Sequence, residues 1–90
     1  MAILNIPSYL QSKIENRSSI VMEEGYIYEF IERLIEINPE LTNILLDNNK
    51  KIRKFIKIFI NGKDIRFLKN ENSFVNKDDE VTILTAVAGG

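Results

Sequence analysis

Cysteine, histidine and tryptophan are absent from the 90-residue chain. Without cysteine there is no disulfide, no thiolate nucleophile and no thiolate metal site. Without histidine, the side chain that most often serves as general base or metal ligand near neutral pH is missing. Carboxylates alone could still move protons or hold a hard cation, but Glu23, Glu24, Glu29, Glu32, Glu36 and Glu40 are placed as surface residues. Neither an independent enzyme nor a resident metal is expected. Charge of one sign is not in excess either. Twelve Lys and Arg stand against 13 Asp and Glu, for a net charge of −1 and a pI near 5.4. A nucleic-acid binder would usually carry a basic excess. No apolar run approaches the roughly 20 residues of a membrane span. The start, Met1-Ala2-Ile3-Leu4-Asn5-Ile6-Pro7, lacks the basic and long apolar regions of a signal peptide. A cytoplasmic protein with no nucleic-acid or membrane partner is the expectation.

Glycine is scarce too, and two of the four glycines are Gly89 and Gly90. Before them, Glu80-Val81-Thr82-Ile83-Leu84-Thr85 has the composition of a strand. An ordered strand would thus run into a tail of small residues, Ala86-Val87-Ala88-Gly89-Gly90, ending in a carboxylate. Glycine has no Cβ, so such a tail can thread a narrow channel and lie flat beside a cofactor or metal. Six extended residues from Thr85 span roughly 20 Å, enough to enter a buried active site. The expected organisation is one domain over 1–85 and a flexible tail over 86–90. Nothing in the tail can bury enough surface to offset its ordering entropy. A passive, frayed terminus is the alternative.

Ala2 to Ile6 reads as a first strand ended by Pro7, and Ser18 to Glu23 as a second, antiparallel one. Ser8 to Arg17 fits either a helical turn or an irregular connection. Ile27, Phe30, Ile31, Leu34 and Ile35 recur at helical spacing, with Glu29, Glu32, Arg33 and Glu36 on the other side. Glu23 and Glu24 suit the positive end of that helix, although only Gly25 is placed to cap it. Asn38-Pro39 ends it, because the residue before proline is pushed out of the α region. Glu40 to Leu46 fits a short second helix with Leu41, Ile44 and Leu45 inward. Lys54 to Ile60 reads as a strand, Asn61-Gly62 as a tight turn, and Lys63 to Leu68 as the returning strand. Lys69 to Asp79 is polar and turn-like, anchored by Phe74 and Val75. The order predicts a two-layer α+β fold, with one main helix on one face of a mixed four- to five-stranded sheet.

The Ile60-Asn61-Gly62 turn, the stretch Asp78-Asp79-Glu80-Val81-Thr82-Ile83-Leu84 and the terminal Gly89-Gly90 resemble the small ubiquitin-like sulfur carrier proteins. These include the small subunit of molybdopterin synthase and the thiamine-pathway carrier. The likeness is strongest to the carrier of an alternative cysteine-biosynthesis pathway, matched by Val81 to Leu84, by Ala86 to Gly90 and by Phe55 to Phe67. Thr85 stands where that group more often has proline. The resemblance implies a β-grasp fold, with the last strand parallel to the first. It implies that an adenylating enzyme of the ubiquitin-activating type uses ATP on the Gly90 carboxylate. Sulfide equivalents then displace AMP and leave a thiocarboxylate, while Ala86, Val87, Ala88 and Gly89 thread the partners' active sites. In the cysteine branch the acceptor would be a PLP-bound aminoacrylate on a cysteine synthase relative. A zinc metalloprotease would then cleave after Gly90. No cofactor is implied on the carrier itself.

Strand side chains alternate faces. With Ile56, Ile58, Ile60, Val81 and Ile83 turned to the helix, Phe55, Phe59, Phe67 and Leu84 would form an outer apolar patch. Such a patch marks a docking surface, unless the 69–79 segment folds over it. Lys50, Lys51, Arg53 and Lys54 fit a solvated loop face first, and an electrostatic docking contact second. Asp78-Asp79-Glu80 fits turn chemistry, with negative charge near the tail as the alternative. Besides the sulfur carrier, the same Gly-Gly end suits a protein modifier joined through Gly90 to lysine amines. Sulfur donation to molybdopterin, thiamine or another metabolite also stays open, as does a non-covalent interaction module.

Overall fold

The computed structural model describes residues 1–85. Ala86, Val87, Ala88, Gly89 and Gly90, which carry the expected reactive tail and its expected mobility, lie outside the described residues.

The chain starts with β1 (Ala2–Asn5), in which Ala2 and Leu4 are buried while Ile3 faces solvent. Pro7 is extended and precedes the single helical turn α1 (Ser8–Gln11), which buries Leu10. The ambiguous stretch from Ser8 to Arg17 therefore holds one turn of helix. It then turns back through Glu15 and Asn16, both at positive φ. Next, β2 (Ser19–Met22) pairs antiparallel with β1, Leu4 opposite Ile20 and Ala2 opposite Met22.

After the two-residue β3 (Gly25–Tyr26) comes the main helix, α2 (Ile27–Ile37). It buries Ile27, Phe30, Ile31 and Leu34, with Ile35 half-buried beside them. Each fully buried side chain of this size contributes about 1.5–3 kcal/mol. Gly25 is not the cap: it lies within β3, and Tyr26 takes the N-cap position. Glu29 reaches back, its Oε1 accepting the Tyr26 N–H at 2.8 Å. A residue three places into the helix thus supplies the acceptor that the preceding residues lack. At the other end Asn38 is extended (φ −145°, ψ 105°), as Pro39 requires. A short α3 (Leu41–Leu45) follows, with Leu41 and Leu45 buried and Ile44 half-buried.

The last strands are β4 (Ile56–Ile60), β5 (Lys63–Asp64), β6 (Phe74–Val75) and β7 (Glu80–Thr85). Asn61 (φ 50°) and Gly62 (φ 84°) form the turn between β4 and β5. Two successive positive φ values are what a two-residue hairpin loop needs, and Asn and Gly tolerate them best. Three expectations are corrected here. First, β4 begins at Ile56, because Lys54 and Phe55 sit in a turn closed by the Ile56 N–H donating to Arg53 O at 3.0 Å. Second, Lys63 to Leu68 is not one strand. Asp64 Oδ1 accepts the Arg66 N–H at 2.9 Å, and the chain winds into a 3-10 turn over Ile65–Phe67. Third, the segment from Lys69 to Asp79 contains β6, which pairs with β3 in a small second sheet, Gly25 opposite Val75 and Tyr26 opposite Phe74.

The main sheet has the order β2-β1-β7-β4-β5. Strands β1 and β7 are parallel, and the other neighbours are antiparallel. The inner side chains of the sheet and the apolar face of α2 belong to one buried cluster. A mixed sheet with its last strand in the middle and one helix across it is the β-grasp arrangement. No helix among the described residues is long and apolar enough to cross a membrane.

Candidate functional site

Strand β7 has a hydrogen-bonded neighbour on each side. Leu4 pairs with Val81 on the parallel side; Ile58 pairs with Ile83 and Ile56 with Thr85 on the antiparallel side. Val81 and Ile83 are 1% exposed and fix the strand to the core. Thr85, the last described residue, lies level with Ile56 at the start of β4. The described part of β7 therefore ends at a fixed point on the sheet, next to the turn that carries Lys54 and Phe55.

The opposite end of β7 is held by a polar network. The Asn61 Nδ2 donates to Asp79 Oδ1 at 2.9 Å, and Asn61 Oδ1 accepts the Glu80 N–H at 2.9 Å. The Asn61 N–H donates to Glu80 O at 2.7 Å, and the Asn76 N–H to Asp79 Oδ2 at 2.8 Å. The hydrogen bond from Asn61, then that from the Asn76 N–H, holds the Asp79 carboxyl below its ordinary range. Of the three acidic residues, Asp79 performs turn chemistry, and Glu80 begins β7 with its side chain accepting from Asn5. The length of β7 separates all three from Thr85.

Of the expected docking residues, Phe59 and Leu84 share the outer sheet face. Phe59 is half-buried, opposite Thr82 on one side and Asp64 on the other. Leu84 is 47% exposed and opposite Lys57. Phe55 is exposed in the turn before β4. Phe67 is also exposed, but it closes the 3-10 turn, and no strand pairing carries it onto the face that holds Phe59.

Two exposed apolar groups went unread in the sequence. Ile3 and Val21 are opposite each other on the outer face, level with Glu80 and so at the far end from Leu84. Between the two ends, Asn5 Nδ2 donates to Glu80 Oε2 at 2.7 Å and Thr82 Oγ1 at 3.3 Å. The alternation of buried Ala2 and Leu4 with Ile3 and Asn5 was the available signal. The second group is the edge-to-face pair of Tyr26 and Phe74, with ring centroids 5.1 Å apart, beside exposed Leu68. Among the described residues no cluster of acidic side chains is arranged to hold a metal ion.

With this geometry in view, comparison with known proteins identifies the class. The model of the ThiS family matches residues 6–90, and the chain belongs to that family. An Archaeoglobus fulgidus protein described as a candidate sulfur carrier is 31% identical over 68 residues, 76% of this chain and 77% of that one. The sulfur carrier protein CysO of Mycobacterium tuberculosis is 28% identical over 89 residues, 97% of this chain and 96% of that one. Among solved structures, a chain of the Amycolatopsis orientalis BexX/CysO complex superposes with a TM-score of 0.88 at 27% identity, covering 100% of both chains.

Proposed function

We propose that this protein is a sulfur carrier and that Gly90 is its reacting residue. The observation that carries the proposal is the position of β7. A strand anchored on both edges and on its inner face leads directly into the Ala-Val-Ala-Gly-Gly sequence. The domain supplies the grip, and the small residues supply chemistry inside another protein.

A carboxylate is a poor electrophile until one oxygen becomes part of a good leaving group. In the proposed cycle the Gly90 carboxylate attacks the α-phosphate of ATP on an adenylating enzyme, giving an acyl-adenylate and releasing pyrophosphate. A hydrosulfide equivalent then adds to the acyl carbon. The bond to the AMP oxygen breaks, AMP departs, a proton is released, and a thiocarboxylate remains. Gly89 and Gly90 leave the attacked carbonyl unhindered. The chain has no thiol or imidazole to capture the activated acyl group within the same molecule.

The names of the similar proteins support sulfur carriage, and the two CysO matches favour cysteine as the product. The acceptor in that scheme is a PLP-dependent enzyme of the cysteine synthase type, and a zinc metalloprotease releases the amino acid. Both cofactors reside on partners, and this chain acts as substrate and donor. The solved likeness to a chain within a complex is in keeping with a life spent docked to other proteins. Intact-mass spectrometry of protein isolated from its own cells tests the proposal. A gain equal to exchanging one oxygen for sulfur at the C-terminus is expected. A ladder of conjugates to other proteins, with no thiocarboxylate, would replace the carrier by a protein modifier.

A further inference from the structure

Charge along the chain is segregated far beyond its near-neutral total. Between Lys50 and Lys69 stand eight of the 12 Lys and Arg residues, but only one of the 13 acidic residues, Asp64. The fold gathers much of this segment around a groove of about 290 Å³ lined by Lys51, Arg53, Lys54, Lys57 and Arg66, with Asp64 and Glu71. Both carboxylates are engaged, Asp64 with Arg66 at 2.8 Å and Glu71 with Lys51 at 3.9 Å. Arg53 Nε donates to Asn43 O at 2.8 Å. Among the described residues, Lys54 and Lys57 lie in no ion pair.

Ile56 also lines the groove, and Ile56 is the residue paired with Thr85. The basic groove therefore borders the last described residue of β7. Glu23, Glu24, Glu29, Glu32 and Glu36 lie elsewhere, before and along α2. We propose that the groove receives an acidic surface of the enzyme that takes the C-terminal segment, so that the field of the domain turns that segment toward its target before contact. The proposal rests on the carrier function and adds the chemistry of the partner.

A long polyanion fits less well. The chain's net charge of −1 disfavours extended phosphates, whereas an acidic patch on a folded enzyme can be confined to the groove. Opposed charge raises association rates by roughly 10- to 1,000-fold when it steers the encounter. Because the Debye length is about 8 Å at physiological salt, that advantage fades as salt rises.

The experiment measures association with the cognate adenylating enzyme by stopped flow, for Lys54→Gln/Lys57→Gln and for Lys13→Gln/Lys77→Gln. The two variants lose the same charge, and their circular dichroism verifies folding. At low salt the groove variant is expected to associate about tenfold more slowly, with the control within about twofold of the parent and the gap closing at high salt. In a parallel titration, hexaglutamate should shift the amides of residues 51–57 and 64–71. Equal slowing of both variants overturns the proposal. So does a short DNA duplex that shifts the same amides at lower concentration than hexaglutamate, or salt-reversible self-association through the groove seen in sedimentation. Absence of a thiocarboxylate in the parent protein would instead overturn the carrier function, and the hexaglutamate result would still report on the groove.

Discussion

Asn61 and Asp79, 18 residues apart, meet through a hydrogen bond of 2.9 Å that ties the β4–β5 turn to the start of the central strand. The same Asn61 side chain accepts the Glu80 N–H, so one carboxamide is used at both ends. Asn61 also sits at φ 50°, where its side chain type is better tolerated than most.

Asn61→Ala should accordingly lower stability by about 1–3 kcal/mol, from two lost side-chain hydrogen bonds and a less favourable positive φ. Urea denaturation at neutral pH checks this. A change within about 0.3 kcal/mol would mean that the backbone bond to Glu80 alone fixes the turn.

Asp79 also predicts the acid response. Its folded pKa lies below the usual aspartate value of 3.8, chiefly through the bond from Asn61. Between the folded and unfolded values the unfolded chain binds more protons, so stability rises with pH there. The contribution is present above about pH 4 and is lost as pH falls through the folded value. Asp47 and Asp64 shift in the same direction, through the Lys51 N–H and the Arg66 side chain respectively. Denaturation midpoints from pH 2 to 6 should fall less steeply on acidification in Asp79→Asn than in the parent.

Removing Gly89-Gly90 should abolish ATP–pyrophosphate exchange with the adenylating enzyme and leave the melting temperature within about 2 °C. Among the described residues the buried cluster runs from Ala2 to Ile83, upstream of the deleted pair. By the usual scaling a shift of that size corresponds to well under 1 kcal/mol for a domain of this length. Exchange at the normal rate would sink the proposed role of Gly90.

Neighbouring positions on β7 should separate folding from docking. Ile83→Asp places a charge in the core and should cost more than about 3 kcal/mol. Leu84→Asp, on the outer face, should cost less than about 1 kcal/mol while weakening partner binding at least tenfold. Phe59→Asp should fall between them in stability, since Phe59 is half-buried. Calorimetric titration with the adenylating enzyme, beside urea melts, reads both effects. Equal loss of stability at 83 and 84 would contradict the face assignment.

Local signals served well where neighbours in sequence decide the structure. The i, i+3, i+4 spacing from Ile27 to Leu34 marked α2, and Asn61-Gly62 marked the hairpin. The parallel pairing of β1 with β7 came from the resemblance at Val81 to Leu84 and Gly89-Gly90, because no local pattern links residues nearly eighty positions apart. Within Lys63 to Leu68, Asp64 to Phe67 alternates polar and apolar residues and so passes for a strand. What ends the strand is the Asp64 carboxylate capping Arg66, a side-chain geometry that alternation does not encode. The β3–β6 pairing was equally hidden, since two residues on each side carry too little periodicity to detect. At the candidate site, Leu84 and Phe59 were legible from strand alternation. Phe67 was misplaced because its supposed strand stops three residues earlier, and the charge groove emerged only when the turn before β4 met the turn after β5.

The placing of β7 between two neighbours has a mechanical consequence. Tension applied at Thr85 along the strand does not unzip the sheet one bond at a time, as it would for an outermost hairpin strand. It is borne as shear by the ladders to β1 and β4 together, so their hydrogen bonds must rupture nearly at once. Resistance to such forced unfolding is a rate set by the unfolding barrier. A force applied beyond Thr85 would therefore load both ladders in shear rather than peel the sheet apart.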